Sequence, residues 1–165
     1  MDALVNLALG HLMSREVEQA VEHIGLALVA QPDSAYAHSV AAMIDAVIGD
    51  GPSAIAHAAF VAESPTHTYL DRVYALLAVA AAERQRGDLA AARSALHEAH
   101  TITAGTDDLV AQAIVLHADD EFGLAALATG RSSSVERPLL KDWEQVISLL
   151  AQGVARPLAV PHPTA

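Results

Sequence analysis

The sequence has no cysteine, and only one of its nine basic residues, Lys141, is a lysine. Without cysteine the chain has neither a disulfide framework nor thiolate chemistry, which is typical of a reducing compartment. Its 20 acidic residues give a formal net charge of −11, so the chain offers no basic surface for phosphate groups. We therefore expect no nucleic acid and no anionic membrane surface as partner, and a neutral or basic partner instead.

Long hydrophobic runs are also missing. The longest uninterrupted apolar stretch, residues 73–82, is far shorter than the roughly 20 residues that a membrane span needs. Among the first thirteen residues, Asp2 follows the initial methionine, no basic segment is present, and Asn6 and His11 interrupt the apolar residues. A signal peptide is therefore not predicted. We expect a soluble, cytoplasmic protein.

Small and aliphatic side chains dominate what is present. Hydrophobic residues make up 53% of the chain, mostly alanine, leucine and valine, while aromatic residues make up only 4%. Alanine and leucine are strong helix formers, whereas strands favour β-branched and aromatic residues. The composition therefore predicts an all-α fold, and 165 residues are enough for one domain.

A segment that begins with Gly87-Asp88 and carries a small residue at Ala92 recurs along the chain. Ala20 and Ala54 hold the equivalent place in earlier segments, and Ala126 in a fainter later one, so the separations are 34, 38 and 34 residues. A repeat of this length is typical of stacked helical hairpins. The sequence therefore predicts an array of three to four hairpins.

Hydrophobic periodicity and turn signals predict where the helices lie. Serine, threonine and aspartate residues before several apolar stripes are expected to cap helix starts, and Gly or Pro to end them. The predicted helices span residues 2–13, 15–30, 34–48, 52–63, 68–86, 89–102, 107–121 and 138–152.

The pattern weakens toward the carboxyl end. Residues 122–129 are predicted to begin the second helix of a fourth hairpin before a Gly-Arg-Ser-Ser-Ser segment interrupts it. We thus expect helical repeats over 1–130, a loop and an amphipathic helix over 131–153, and a disordered tail over 154–165. The last helix is expected either to cap the end of the array or to lie in its groove. Its apolar stripe consists of Leu139, Leu140, Trp143, Val146, Ile147 and Leu150.

The spacing resembles that of tetratricopeptide repeats, a family of 34-residue helical hairpins. Two large residues expected by the family pattern are replaced by Leu4 and His11, so the chain resembles a divergent, alanine-packed member. In the first copy, the small, apolar and proline positions of the pattern fall on Ala8, Ala20, Ile24, Ala27 and Pro32.

The resemblance implies a right-handed α-solenoid of antiparallel hairpins with a C-terminal capping helix. Members of this family bind a partner helix or an extended peptide in a concave groove. Val5 and Leu9 stand where a carboxylate clamp needs polar residues, so a clamp for chain termini is not expected. The predicted groove residues are Val5, Leu9, Leu12, Met13, Tyr36, Ser39, Met43, Val47, Tyr74, Leu77, Arg84 and Gln85.

An apolar groove is costly to leave in water, at about 25 cal/mol per Å², so something is expected to cover it. The preferred occupant is a protein or peptide partner, which makes the chain an interaction scaffold or adaptor. A second copy of the chain, giving a homodimer, and the chain's own last helix are the alternatives.

The nine histidines raise a further alternative, a ligand- or metal-responsive regulatory domain. His97 with His100, and His117 with Glu121, are spaced to present two ligands on one helical face. Neither pair has an identifiable third ligand, and neither a catalytic constellation nor a phosphate-binding loop is visible. We therefore predict no enzyme activity, no catalytic residues, no cofactor and no metal site.

Overall fold

A computed structural model of the chain describes residues 2–127 and 137–153. Over these residues the chain forms α-helices and no strand, which confirms the all-α prediction. Residues 128–136, which include the end of the predicted helix at 122–129 and the start of the predicted loop, and the predicted tail at 154–165 lie outside the described part. The helices are α1 (Ala3–Met13), α2 (Val17–Ala30), α3 (Ala35–Val47), α4 (Gly51–Glu63), α5 (Tyr69–Arg86), α6 (Leu89–Ala104), α7 (Leu109–Phe122) and α8 (Arg137–Gln152).

Polar side chains define the starts of five of these helices because they accept hydrogen bonds from first-turn N–H groups. At α5 the bond is reciprocal: the Asp71 N–H donates to Thr68 Oγ1 over 3.2 Å, and the Thr68 N–H donates to Asp71 Oδ2 over 2.8 Å. This is a capping box. The residues that cap α3, α4, α6 and α7 are Ser34, Asp50, Asp88 and Asp108.

The turn between α1 and α2 differs from the prediction. Helix α2 begins at Val17 instead of Arg15, and no side chain caps its start. Arg15 adopts a left-handed φ of 63°, and the Glu16 N–H donates to the His11 carbonyl over 2.8 Å. These contacts reverse the chain before α2 can start.

The predicted helix at 122–129 is wrong over residues 123–127, which are not helical. Gly123 adopts a left-handed φ of 64° and ends α7. The buried Asp119 carboxylate then accepts the N–H groups of Ala126 and Leu127 over 2.8 and 2.9 Å. These bonds hold the segment as a loop, and α7 packs against α8.

The odd-numbered helices form a continuous layer, because α1 contacts α3, α3 contacts α5 and α5 contacts α7. Helix pairs α1/α2, α3/α4 and α5/α6 pack closely as well. Ten residues of α3 are buried, as expected for a helix surrounded on most sides. Among the described residues, no helix has the length and apolar character that crossing a membrane requires.

Helix α8 lies on this layer and contacts α1, α3, α5 and α7. We call the surface of these four helices that meets α8 the odd-helix face. Helix α8 therefore packs on α7, the helix before it, and on the rest of the layer as far as α1. The physical reason is burial: the apolar side chains of α8 join the core that the other helices share.

Candidate interaction face

The predicted groove residues lie on three helices of the odd-helix face, namely α1, α3 and α5. Half of them are buried and have almost no accessible surface; we call these six residues the floor. Leu9, Met13, Tyr36, Tyr74 and Arg84 are half-buried, and Gln85 is exposed. The buried members are Val5, Leu12, Ser39, Met43, Val47 and Leu77.

The apolar stripe of α8 packs into the same core as this floor. Its polar residues Lys141 and Asp142 are exposed, so the helix is amphipathic in the orientation that the sequence predicts. The side chain of Leu139 lies outside the described part. Each fully buried aliphatic side chain contributes about 1.5 to 3 kcal/mol relative to exposure. The buried residues of α8 are Leu140, Val146, Ile147, Leu149 and Leu150.

An aromatic pair holds the first half of α8. The rings of Tyr74 on α5 and Trp143 on α8 lie 4.9 Å apart between centroids, at an interplanar angle of 37°. Both side chains are half-buried. Such pairs add about 0.5 to 1.5 kcal/mol beyond their buried area. Trp143 is the only tryptophan of the chain.

Arg84 holds the carboxyl ends of two helices together. Its Nε donates to the Phe122 carbonyl of α7 over 2.7 Å, and its Nη1 donates to the Ala151 carbonyl of α8 over 2.9 Å. Carbonyls in the last turn of a helix have no partner within that helix. The guanidinium satisfies one such carbonyl from each helix with a charge-assisted bond.

Helix α8 ends against the ends of α3 and α5. Gly153 adopts a left-handed φ of 66°, and its N–H donates to the Leu149 carbonyl over 2.8 Å. A Cβ at Gly153 would lie 3.6 Å from Gln85 Nε2 and 3.9 Å from the Val47 carbonyl oxygen. Gln85 itself donates to the Ala46 carbonyl over 3.0 Å. The helix end is therefore enclosed by predicted groove residues.

A cluster of polar side chains that the sequence did not predict lies between α3 and α4. The Nδ1 atoms of His38 and His57 are 2.7 Å apart, and His38 Nε2 lies 2.8 Å from the Pro32 carbonyl oxygen. Since that oxygen only accepts, His38 Nε2 is the donor there, and the close Nδ1–Nδ1 contact requires one of the two histidines to donate and the other to accept. His57 Nε2 then faces Asp45 Oδ2 at 3.5 Å.

Burial sets the protonation of this cluster. Burial, with a smaller contribution from Asp50, raises the pKa of the Asp45 carboxyl to about 7. Burial, followed by the nearby His38, lowers the pKa of His57. Both shifts favour the uncharged forms, because neither group is fully hydrated. The seven-residue spacing of His38 and Asp45 on α3 was the only sequence signal for this site, and it gave no hint of His57.

Replacing Asp45 by asparagine is expected to stabilise the protein at alkaline pH. The pKa of Asp45 is about 7 in the fold against 3.8 normally, so the native chain binds the extra proton and its stability falls as pH rises between these values. Allowing for partial solvent screening, the variant should gain about 1 to 2 kcal/mol at pH 8 and little at pH 4.

Urea unfolding of Asp45→Asn and wild type across this range measures the difference. Asp33→Asn, at an exposed position, is the matched control. A gain for Asp45→Asn that does not change with pH would contradict the assigned protonation.

Among the residues that the structure describes, the histidine pairs that the sequence suggested gain no third His, Asp or Glu side chain as a metal ligand. His97 and Glu121 are exposed, whereas His100 and His117 are half-buried. The Nδ1 atom of His100 is buried without a hydrogen-bond partner. Over residues 2–127 and 137–153, no group of three or more His, Asp or Glu side chains is arranged to hold a metal ion.

Comparisons of the chain with protein-family models, with curated proteins and with solved structures found no match. The tetratricopeptide resemblance thus stays a prediction from residue spacing. What the chain does must be inferred from the odd-helix face and the helix seated on it.

Proposed function

We propose that the protein is a helix-binding interaction module, and that it carries out no catalysis. In this proposal it is a short right-handed solenoid of tetratricopeptide-like hairpins, and the odd-helix face is its apolar groove. One observation supports this most strongly: an amphipathic helix, α8, is seated on four helices of the layer that carries the predicted groove residues.

The contacts of α8 indicate the chemistry of a partner. The face offers an apolar floor with Met43 and Leu77, an aromatic contact at Tyr74, and a donor for helix carbonyls at Arg84. An amphipathic helix satisfies all of these, whereas an extended peptide would leave its own backbone groups without partners against the apolar floor. The net charge of −11 favours a partner helix whose outer side is neutral or basic.

In this proposal α8 is a tethered competitor of the partner helix. A segment tethered by a short connection acts at an effective concentration in the millimolar range. A free helix therefore binds only to the fraction of molecules from which α8 has left, and its apparent affinity is reduced by that fraction. Without an occupant, the floor would be exposed to water, so release of α8 and capture of a partner are coupled.

The test uses a labelled, amidated peptide of residues 137–153 and the full chain. Ile147 of α8 is 1% exposed. Ile147→Asp replaces this buried side chain by a carboxylate, so α8 should undock. The variant chain is expected to bind the peptide at least about tenfold more tightly than wild type by fluorescence anisotropy, since the competitor is removed. Lys141→Ala, on the exposed side of α8, should bind it as wild type does.

Circular dichroism is measured on the Ile147→Asp chain to check that it stays helical. A folded variant that captures no peptide would reject the proposed function. Sedimentation of the wild-type chain tests the homodimer alternative, in which the α8 of a second copy occupies the face. A wild-type monomer at tens of micromolar would exclude that alternative.

A further inference from the structure

Resting on the proposed function, we infer that the odd-helix face selects a partner helix by the position of its carboxyl end. Tyr74 and Arg84 are the two fixed points of this selection, and both lie on the single helix α5. Their contacts on the occupant are Trp143 and the carbonyl of Ala151. A bound helix therefore makes both contacts only if its aromatic side chain lies at the matching distance from its carboxyl end.

The selection depends on which carbonyls are free. In the body of a helix each carbonyl accepts the N–H four residues later, and only the last turn leaves carbonyls unpaired. Arg84 can therefore reach an unpaired carbonyl only on a helix that ends beside it. Its Nε is already held by the Phe122 carbonyl over 2.7 Å, so the guanidinium is oriented before the partner arrives.

The spacing of the two fixed points is consistent on both helices. Tyr74 and Arg84 are ten residues apart on α5, or about 15 Å along the axis. Trp143 and Ala151 are eight residues apart on α8, or about 12 Å, and the reach of the arginine side chain covers the difference. A helix shifted by one turn would move by about 5 Å and lose one of the two contacts.

Gly153 terminates α8, the helix that occupies the face. Its left-handed φ of 66° is a conformation that glycine adopts without steric cost. A partner is thus expected to carry an aromatic residue, apolar residues three, four, six and seven positions later, and a glycine ten positions later. In α8 these are Trp143, Val146, Ile147, Leu149, Leu150 and Gly153.

A double-mutant cycle in the full chain carrying Ile147→Asp tests the inference. The first probe is the amidated peptide 137–153. The second is the same peptide with alanine in place of Gly153 and an alanine-rich helical extension. Replacing Arg84 by methionine should weaken binding of the first probe about tenfold or more, because the end carbonyl loses its charged donor.

The extended probe should already bind about tenfold more weakly, and Arg84→Met should weaken it no more than about twofold further, since no free carbonyl faces the guanidinium. Arg86→Met, at an exposed arginine on the same helix, is the matched control and should change neither affinity. Equal losses for both probes would overturn end selection while leaving helix binding intact.

Failure of both probes to bind a folded chain would instead reject the proposed function itself. The cycle is run in parallel with Trp143→Ala as the releasing substitution, which removes the aromatic contact at a half-buried site. If the Ile147→Asp chain loses its helical circular dichroism signal, the affinities measured in the Trp143→Ala chain test the inference instead.

Discussion

Replacing Leu77 by aspartate is expected to lower the free energy of unfolding by at least about 5 kcal/mol. Leu77 is fully buried in the middle of α5, so truncation removes its packing and leaves a cavity. The new carboxylate then has no partner in the apolar core. Because domains are stable by only about 5 to 15 kcal/mol, the variant should be largely unfolded at 25 °C by circular dichroism.

Leu26→Asp is the matched control for this substitution. Leu26 lies on α2 with half of its surface exposed, and its replacement should cost no more than about 1 kcal/mol. A Leu77→Asp chain with a cooperative urea transition close to that of Leu26→Asp would contradict the assignment of Leu77 to the core. Substitutions of the buried floor residues therefore cannot report on binding alone, because these residues also hold the fold together.

Replacing Phe122 by alanine is expected to destabilise the protein by about 3 to 5 kcal/mol. Phe122 is the last residue of α7 and is 2% exposed. Its side chain belongs to the core cluster that also contains the buried residues of α8, and its carbonyl accepts from Arg84. The substitution leaves a cavity where α7 and α8 meet, and thermal unfolding should begin about 10 °C lower or more.

The other phenylalanine of the chain, Phe60, provides the control. It is half-buried on α4 and stacks on the ring of His38 at 3.8 Å between centroids. Phe60→Ala should cost only about 1 to 2 kcal/mol. If calorimetry gave Phe122→Ala the smaller loss of the two, the close packing of α7 on α8 would be refuted.

The helix starts could be predicted because their causes are local. A polar side chain such as Ser34 or Asp88 accepts an N–H three residues later, so the sequence within one turn contains the whole interaction. The turn at Arg15 and the loop after Gly123 could not be predicted in this way. The loop depends on Asp119, which accepts N–H groups seven and eight residues away, and no local propensity encodes that choice.

The candidate site could likewise be predicted from the sequence only in part. The repeat spacing located residues of α1, α3 and α5 that share one layer, because helical periodicity determines which side of a helix a residue faces. It could not tell that Ser39 and Met43 are fully buried, because their burial depends on which helices pack around them. The pairing of His38 with His57 likewise joins two helices, so neither helix alone reveals it.

The amino-acid sequence by itself determined the helical class, most helix starts and the amphipathic character of the last helix. These follow from propensity, capping and periodicity, which act over a few neighbouring residues. Only the tertiary structure decided where α8 lies and which groove residues remain accessible. The reason is that an apolar stripe specifies that it must be buried, whereas the surface that buries it is selected by shape and by contacts such as that of Arg84 with the Ala151 carbonyl.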